Sequence, residues 1–484
     1  MSPLSTSPFE MSTPQAAHSL PPDHFLLQPR QDYLVGAYEG HVDTSTLAAH
    51  DFDVDTRTGF MPPDPPLSRL PEQWDLWETT LDAAMQAKLQ LATKPGLTTE
   101  DEQTSESWRD HVKRLPVLPT FELVRSELLL RRAHHVLSFI MHFYIHTLSL
   151  SSPVHIPEPI SVPLVAVSNH LQLPPVVTYS DNVLYNWDII RPRDQNELGV
   201  EPPALDNLRS QDMFTGTIDE QEFYLASARI ELRGVEALEL MRATMDEMFV
   251  GDEIATSRIT GYLHKLASIV GDLKDILLDV RKGCDPRAFY HTIRPWFRGA
   301  DSDPAHRKWV FEGVEEQPTD LSGPSAGQSA LIHALDVFLG LDNCNVVEGG
   351  VTPDQRTLLR RMQIYMPRHH RNFLRHLSTN PRPVRSLLAR ETPDAELLDA
   401  YNSAVLSVKE FRDAHIKIVA IYIIGPAARE RKEREAVDVQ AEDALKDEKR
   451  VLKGTGGTDL VRFLKGVRDK TAEAVIEPTL ESTR

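Results

Sequence analysis

Helical periodicity is the feature that most constrains how this chain can fold. Apolar residues recur with helical spacing over 219–249, 253–283, 328–340, 353–379 and 395–424, and again at about 70–91 and 121–150. This spacing places the apolar side chains of each segment on one face of a helix. The sequence shows neither strong strand alternation nor an internal repeat. The pattern therefore predicts an all-α protein.

Proline positions divide the predicted helices into two groups. The chain has 484 residues, which is enough for two domains. A cluster of prolines predicts a connector at 157–176, because proline blocks helix. We therefore expect a small, mostly helical N-terminal domain at 26–156 and a large helical domain at 177–484. Residues 1–25 are rich in Ser and Pro, and we expect them to be disordered.

The charge of the chain excludes several classes of partner. It carries 52 Lys and Arg against 71 Asp and Glu, a net charge of −19. Such a surface repels nucleic acid and anionic lipid, so we expect neither nucleic acid nor a membrane as partner.

The two cysteines, Cys284 and Cys344, are too few for a disulfide framework and suit a reducing compartment. Residues 1–20 lack a secretory signal pattern. We expect a cytoplasmic monomer.

A charged run near the C-terminus precedes a glycine-rich segment. Residues 429–450 are polar almost all round, which is typical of a solvated helix or a flexible loop. We predict a mobile charged insert at 428–452. Gly454, Gly456 and Gly457 follow, and glycines this close together favour a tightly bending backbone. Because a strand and the Walker spacing are both missing, a nucleotide site is not favoured.

A histidine lies on the apolar stripe of the helix predicted at 395–424. This is His415, and Arg412 lies one turn before it. The imidazole could be a core or surface group that is hydrogen-bonded within the fold. It could also be an axial ligand of haem iron, with the arginine facing a haem propionate. Periodicity alone does not decide between these two interpretations.

A second segment pairs an aromatic with a small polar residue. Thr217 and Glu220 have the spacing of a capping box, so a helix is predicted to begin there. Phe223 and Ser227 then share a helical face. The simpler interpretation is an aromatic core residue beside a small one that permits close packing.

A third segment contains an arginine among aromatic residues. Arg294 shares a helical face with Tyr290 and His291 but not with Phe289. A pocket that uses both Phe289 and Arg294 must therefore lie at a helix end or bend, which Pro295 favours. The alternative is an ordinary surface arginine.

A fourth segment, GPSAGQS at 323–329, consists mainly of small residues before an apolar helix. Small side chains allow a flat ligand to approach the backbone. Equally, Ser325 could serve as a helix N-cap and nothing more.

Together these segments resemble one family in order and rough spacing. The series FTGTIDEQEFYLASARIE, FYHTIRPWFRG, GPSAGQS, YMPRHHRNFLRHL, FRDAHIKIVAIYI and KGTGGTDLVRFLKGVR is similar to that of indoleamine 2,3-dioxygenase. The resemblance covers about residues 170–484 well and residues 70–150 loosely. Its most specific parts are the histidine helix and the KGTGGTDL segment.

The resemblance implies a haem b cofactor. His415 would bind the iron, Arg412 would face a propionate and Asp336 would pair with Arg412. Ser325 and Gly327 would lie at the haem edge. These roles come from the family and not from spacing or periodicity.

The resemblance also implies a substrate pocket on the opposite side of the haem. The residues that would line it are Tyr179, Phe223, Ser227, Phe289, Arg294, Ser325 and Ala326, with Thr455 closing over it from the glycine-rich loop. Arg294 would bind the substrate carboxylate, and Ser227 would lie beside the reacting oxygen as a weak hydrogen-bonding group. Asn182, near Tyr179, occupies a place where some members carry cysteine, which would alter the polarity of the pocket.

The implied reaction is insertion of O2 across the indole C2–C3 bond of L-tryptophan. The product would be N-formyl-L-kynurenine, at the head of the kynurenine pathway that leads towards NAD. Two alternatives stay open: a haem or oxygen-binding protein with little turnover, and a helical scaffold without haem. The set Phe223, Phe289 and Arg294 favours the enzyme, because a carrier has no need of a carboxylate clamp.

Overall fold

The computed structural model describes residues 52–191, 203–341, 361–379, 384–388, 394–438 and 460–477. Helices dominate this part of the chain, so the all-α class predicted from periodicity is confirmed. The helices are α1 Asp75–Gln86, α2 Thr99–Arg114, α3 Glu127–His146, α4 Glu158–Leu171, α5 Ile218–Arg233, α6 Val235–Val250, α7 Glu253–Gly283, α8 Ala330–Leu339, α9 Arg368–Thr379, α10 Val384–Leu388, α11 Ala395–Val419, α12 Gly425–Asp438 and α13 Leu460–Glu473.

In the described ranges, four short strands accompany the helices. β1 Val154–Ile156 pairs in parallel with β4 Trp309–Phe311, and β2 Asp188–Ile189 pairs antiparallel with β3 Leu208–Arg209. With two or three residues each, these pairs fasten loops to the helical body and do not form a layer of their own.

The segment 219–249, predicted as a single helix, is two helices. α5 ends and α6 begins at Gly234. A Cβ at this position would collide with the side chain of Leu331 in α8. The glycine therefore permits a close approach between the junction and α8, which the periodicity of the segment does not reveal. At the start of α5, Thr217 accepts the Glu220 amide as predicted, but the Glu220 carboxylate accepts the amides of Phe214 and Thr215 instead of completing a capping box.

The proline-rich segment predicted as a connector contains a helix. α4 begins after Pro157 and has Pro159 in its first turn, where a missing amide hydrogen leaves no intrahelical bond unmade. Pro163 lies within the helix, and Ile160 and Leu164 are fully buried. The connector at 157–176 is thus packed into the core. The division into domains at 26–156 and 177–484 stays a prediction.

Two large hydrophobic clusters form most of the core. The first joins side chains of α1, α3 and α4 to aromatic residues from later in the chain, including Phe214, Trp296 and Tyr422. The second is formed mainly by α6, α7, α8 and α11. α11 packs along α7 over much of its length. The helix that carries His415 is therefore supported by the longest helix of the described structure.

The charged run predicted as a mobile insert is helical where the structure describes it. α11 continues through a π-helical turn, Ala420–Ile424, into α12, which covers 428–438 of the predicted insert. The interpretation as a solvated helix thus applies to this part, and residues 439–452 lie outside the described residues, as do residues 1–25. Among the described helices, none combines the length and apolarity needed to cross a bilayer.

Candidate functional site

The side chain of His415 lies half-buried on α11. Its ring makes no hydrogen bond with any residue in the described ranges. Burial, aided by the charge of Arg412, lowers the pKa of this imidazole to about 4. At neutral pH the ring is therefore uncharged and has a free nitrogen lone pair. A neutral, unengaged imidazole is the form of histidine that binds iron axially.

Arg412, one turn before this histidine, forms an ion pair with Asp336 of α8. Its Nη2 atom lies 2.5 and 2.7 Å from the two carboxylate oxygens of Asp336. The other terminal nitrogen donates to Thr471 on α13. Three helices thus hold the guanidinium in place next to His415. The pair that the resemblance implies is present in the structure.

α8 connects this ion pair to the loop of small residues. His333, one turn before Asp336, contacts the carbonyl oxygen of Gly327 through Nε2 at 2.9 Å. Ser325 accepts the Gly327 amide at 3.2 Å and so caps the short 3-10 turn Ala326–Gln328. Ser325 therefore has the N-cap geometry considered above, and Ala326 is exposed.

Gln328 links the small-residue loop to Tyr179. Its side-chain oxygen accepts the Tyr179 amide at 2.8 Å, and its side-chain nitrogen donates to the carbonyl of Gly323 at 3.0 Å. The Tyr179 hydroxyl donates to Oε1 of Glu231 at 2.9 Å, and Ser329 donates to the same oxygen at 2.6 Å. Ser227 lies one turn before Glu231 on α5, and its hydroxyl offsets part of the rise that burial causes in the pKa of Tyr179.

Glu231 is the buried acid of this group. Burial raises the pKa of its carboxyl to about 7, although the bonds from Ser329 and Tyr179 act in the opposite direction. Its second oxygen, Oε2, is buried without a hydrogen-bond partner in the part of the chain that the structure describes. At neutral pH the charged carboxylate and the neutral carboxylic acid of Glu231 are therefore both populated.

Two aromatic side chains, Phe223 and Phe289, form a wall near the serine of α5. Their ring centroids are 4.5 Å apart. Phe289 also contacts Tyr422 edge-on at 5.6 Å, and the Tyr422 hydroxyl donates to the carbonyl of Cys284 at 2.6 Å. Tyr422 lies seven residues after His415 on the continuation of the same helix. The aromatic wall and the histidine are thus joined through one element.

Arg294 lies where the predicted bend occurs. A π-helical turn, Phe289–Ile293, is followed directly by a 3-10 turn, and the Arg294 amide donates to the carbonyl of Phe289. This wide turn brings Phe289 and Arg294 to the same side of the helix, which the spacing of an α-helix would not allow. Arg294 as a whole is 6% exposed. Burial and then the charge of Arg298 lower its pKa to about 10, so it stays cationic at neutral pH. A buried guanidinium can make two parallel hydrogen bonds to a carboxylate.

The structure thus joins most of the residues predicted from the sequence through a series of contacts. Thr455 lies outside the described residues. Asn182 is buried, and within the described chain its side-chain oxygen has no hydrogen-bond partner. The sequence analysis assigned no role to the residues that connect the predicted ones, which are Glu231, Gln328, Ser329, His333 and Tyr422. Helical spacing from Ser227 and His415 could have indicated the first and last of these.

The arrangement fits a planar metal-bearing cofactor of the porphyrin type. A neutral imidazole is available for an axial metal bond, and a fixed arginine beside it suits a propionate. A loop of small residues, Ser325–Gly327, is coupled to both through His333 and Asp336. In the described ranges, no cluster of three or more His, Cys, Asp and Glu forms a site for a bare metal ion.

Comparisons with known proteins agree with this chemistry. The family model described as indoleamine 2,3-dioxygenase matches residues 48–474. The chain is 32% identical over 429 residues to the indoleamine 2,3-dioxygenase of Saccharomyces cerevisiae, covering 85% of this chain and 90% of the relative. It is 31% identical over 434 residues to indoleamine 2,3-dioxygenase 2 of Mus musculus, covering 89% and 96%. Indoleamine 2,3-dioxygenase 1 of Rattus norvegicus is 32% identical over 371 residues, covering 76% and 85%.

Proposed function

The chain belongs to the indoleamine 2,3-dioxygenase family, and on this basis we propose that it is a haem-dependent dioxygenase that opens the indole ring of L-tryptophan. The product is N-formyl-L-kynurenine, the first compound of the kynurenine pathway. The observation that carries the proposal is the buried Arg294 cation, whose amide closes the π-helical turn that begins at Phe289 of the aromatic wall. An aromatic amino acid has an anionic end and a flat apolar end to match both.

The cofactor is haem b. His415 would bind its iron, Arg412 held by Asp336 would face a propionate, and Ser325 and Gly327 would lie along its edge. When bound, the haem supplies the activation of O2, and both oxygen atoms enter the substrate without an external reductant on each turnover. The low pKa of His415 supports this assignment, because a proton does not compete for the ligating nitrogen at neutral pH.

The substrate is positioned by its two ends. Arg294 binds the carboxylate, and a guanidinium in a dry pocket makes two parallel hydrogen bonds that a lysine would not reproduce. Phe223 and Phe289 pack against the indole ring. Holding the ring between a fixed aromatic wall and a fixed cation limits its orientations, which lowers the entropy barrier for attack at one bond.

The polar side of the pocket is built from hydroxyl groups. Ser227 offers one weak hydrogen bond, and Tyr179 is tied to Glu231 rather than turned towards a ligand. On this polar side of the pocket, the hydroxyl proton of Tyr179 is donated to Glu231. We propose that Ser325, Ala326 and, from the glycine-rich segment, Thr455 complete the substrate pocket. Asn182 would adjust its polarity and so the preference for substituted or D-tryptophan.

Product formation tests the proposal directly. The purified protein is reconstituted with hemin, reduced, and given L-tryptophan and air, and N-formylkynurenine is followed by its absorbance and by mass spectrometry. We expect a Soret band and stoichiometric use of O2. A haem-loaded protein that forms no N-formylkynurenine would support the carrier alternative, and a preparation that takes up no hemin would support the scaffold.

We also propose that the protein acts in the cytoplasm as a monomer. The small number of cysteines supports a reducing compartment, and the one that the structure describes, Cys284, is buried with its pKa raised to about 12. A thiol of this kind is unreactive. Light scattering of the haem-loaded protein tests the oligomeric state, and fractionation of cells tests the compartment.

A further inference from the structure

One carboxylate oxygen joins three segments of the site. Oε1 of Glu231, on α5, accepts the hydroxyl of Tyr179 at 2.9 Å and the hydroxyl of Ser329 at 2.6 Å. Ser329 lies at the start of α8, and the side chain of Gln328, the residue before it, accepts the Tyr179 amide at 2.8 Å. The contacts form a closed ring. Tyr179 is held at its amide by Gln328 and at its hydroxyl, through Glu231, by the next residue of the chain.

Ser329 uses its hydroxyl for this ring and not for capping its own helix. It is the N-cap residue of α8, yet within the described structure its side chain makes no capping hydrogen bond. A serine at an N-cap normally stabilises its helix by accepting an amide of the first turn. Here the hydroxyl donates to Glu231 of α5. A tertiary contact has therefore replaced the local bond that the sequence around Ser329 favours.

The packing of α5 does not by itself account for the carboxyl of Glu231. The residue is 1% exposed, and its second oxygen, Oε2, has no hydrogen-bond partner in the described part of the chain. Burial of an acid with one oxygen unsatisfied costs free energy. A leucine at this position would avoid that cost. The bonds at Oε1 are therefore what distinguishes a carboxyl from an apolar side chain here.

The ring connects two segments of the proposed substrate pocket. The side-chain nitrogen of Gln328 donates to the carbonyl of Gly323 at 3.0 Å, which spans the loop that contains Ser325–Gly327. The side chain of Tyr179 belongs to a hydrophobic cluster with Leu225 of α5. Because both the amide and the hydroxyl of Tyr179 are held, a shift of the loop would displace its aromatic ring as well.

Glu231 could instead serve only the start of α8. A carboxylate close to the amides of a helix N-terminus stabilises that helix. In that case the free energy of unfolding would depend on Glu231, but binding of a substrate would not depend on the hydroxyl of Tyr179. The bond between these two residues is therefore the contact to test.

We propose that Glu231 is a positioning residue of the substrate pocket, which holds Tyr179 by its hydroxyl and joins it to the loop of small residues through Ser329. This rests on the proposed function and deepens it, because it assigns the tyrosine hydroxyl to the protein and leaves the aromatic ring for the substrate. A wall of this kind suits a flat indole that packs against the ring without a hydrogen bond to it.

The experiment measures binding of L-tryptophan by calorimetry in the unreduced, haem-loaded full chain, so that binding is separated from turnover. Tyr179→Phe and Glu231→Leu should each raise the Kd about five- to thirty-fold, the range expected when a buried hydrogen bond is lost. The double variant should bind at most about twofold more weakly than Glu231→Leu, because both changes remove the same bond. Glu231→Gln should recover most of the binding lost in Glu231→Leu, because its amide oxygen accepts both hydroxyls.

Glu239→Leu, at an exposed carboxylate of α6, is the matched control and should bind L-tryptophan as wild type does. Additive effects of Tyr179→Phe and Glu231→Leu would place the tyrosine hydroxyl on the substrate itself and overturn the proposal. Wild-type affinity in Tyr179→Phe would overturn it too, because Glu231 would then have only a structural role.

Ser329→Ala provides a second test that does not depend on the folding of Glu231→Leu. It removes the other bond at Oε1 and should weaken binding about three- to ten-fold, although Ser329 is not among the residues proposed to contact the substrate. Unchanged binding in this variant would separate the loop from Tyr179 and contradict the proposal. Failure of the proposed function would be seen separately, as a wild-type protein that forms no N-formylkynurenine.

Discussion

The Tyr179 hydroxyl is bound at 2.9 Å by Glu231, a carboxyl whose second oxygen is buried without a partner among the described residues. This pair joins the loop before a further π-helical turn, Ser180–Leu184, to α5, one turn from Ser227. Because Ser329 binds the same oxygen at 2.6 Å, three segments of the site meet at one acid. The position of Tyr179 therefore depends on a group that titrates near neutrality.

The first prediction concerns pH and the Glu231 carboxyl. Folding raises its pKa from 4.5 to about 7 through burial. Between these values the folded protein retains a proton that the unfolded chain has released, so this group's contribution to the free energy of unfolding is complete below 4.5 and falls as pH rises through 7. The size of the loss is on the order of 3 kcal/mol.

Urea unfolding of wild type and Glu231→Gln at pH 5 and pH 8 measures this effect. The stability of wild type relative to the variant should fall between the two pH values, because glutamine does not titrate. Glu410→Gln, at an exposed carboxylate on α11, is the control and should show a change below about 1 kcal/mol. A wild-type advantage that does not vary with pH would contradict the assignment.

The second prediction concerns the iron ligand. His415→Ala should abolish stable haem binding, because the variant loses the axial bond to the iron together with the side chain that would fill that side of the haem cavity. The Soret absorbance after reconstitution and gel filtration measures it. His264→Ala, at an exposed position on α7, is the control and should bind haem as wild type does. Retention of haem with the wild-type axial spectrum in His415→Ala would disprove the ligand assignment.

The third prediction concerns Asp336, the ion-pair partner of Arg412. Asp336→Asn removes the charge that fixes Arg412, and loss of such a supporting partner typically weakens metal or cofactor binding about ten- to a hundred-fold. Haem affinity is measured by transfer to apomyoglobin. Asp399→Asn, an exposed acid on α11, should have no effect. Equal affinity in Asp336→Asn and wild type would separate this ion pair from cofactor binding.

The fourth prediction concerns the carboxylate clamp. Arg294→Ala should keep its haem but lose about 2–5 kcal/mol of binding energy, a fall in kcat/KM of roughly thirty-fold to several thousand-fold. Arg294→Lys should recover little, because a lysine lacks the planar fork. Tryptamine, which has no carboxylate, should show a much smaller loss. If kcat/KM for L-tryptophan were unchanged in Arg294→Ala, this residue would have no part in binding the substrate.

The fifth prediction concerns the core. Arg132 of α3 is buried between Glu78, at 2.9 and 2.6 Å, and Asp212, at 2.6 Å. Arg132→Ala leaves two buried carboxylates without this partner and should lower the free energy of unfolding by about 3–5 kcal/mol. Arg69→Ala breaks an exposed pair with Asp75 and Asp82 and should lower it by less than about 1 kcal/mol. Chemical denaturation of both variants checks the contrast.

Local pattern was sufficient for the helical class and for most helix positions. The apolar period predicted α7 and α11 closely, because a helix in a core must repeat its buried face every turn. It did not predict α2, which is mainly polar and begins at a capping box between Thr98 and Asp101. It also missed α4, because prolines that normally interrupt helices lie mostly at its start.

The family's motifs were readable in the sequence, and so were His415, Arg412 and Arg294 as individual residues. Their surroundings were decided by tertiary structure. Whether His415 is neutral, whether Arg412 meets Asp336 across 76 positions, and whether Glu231 is desolvated all depend on segments distant in the chain. Burial and charge pairing are properties of the packed molecule, because they are sums over neighbours that the linear order of residues does not specify.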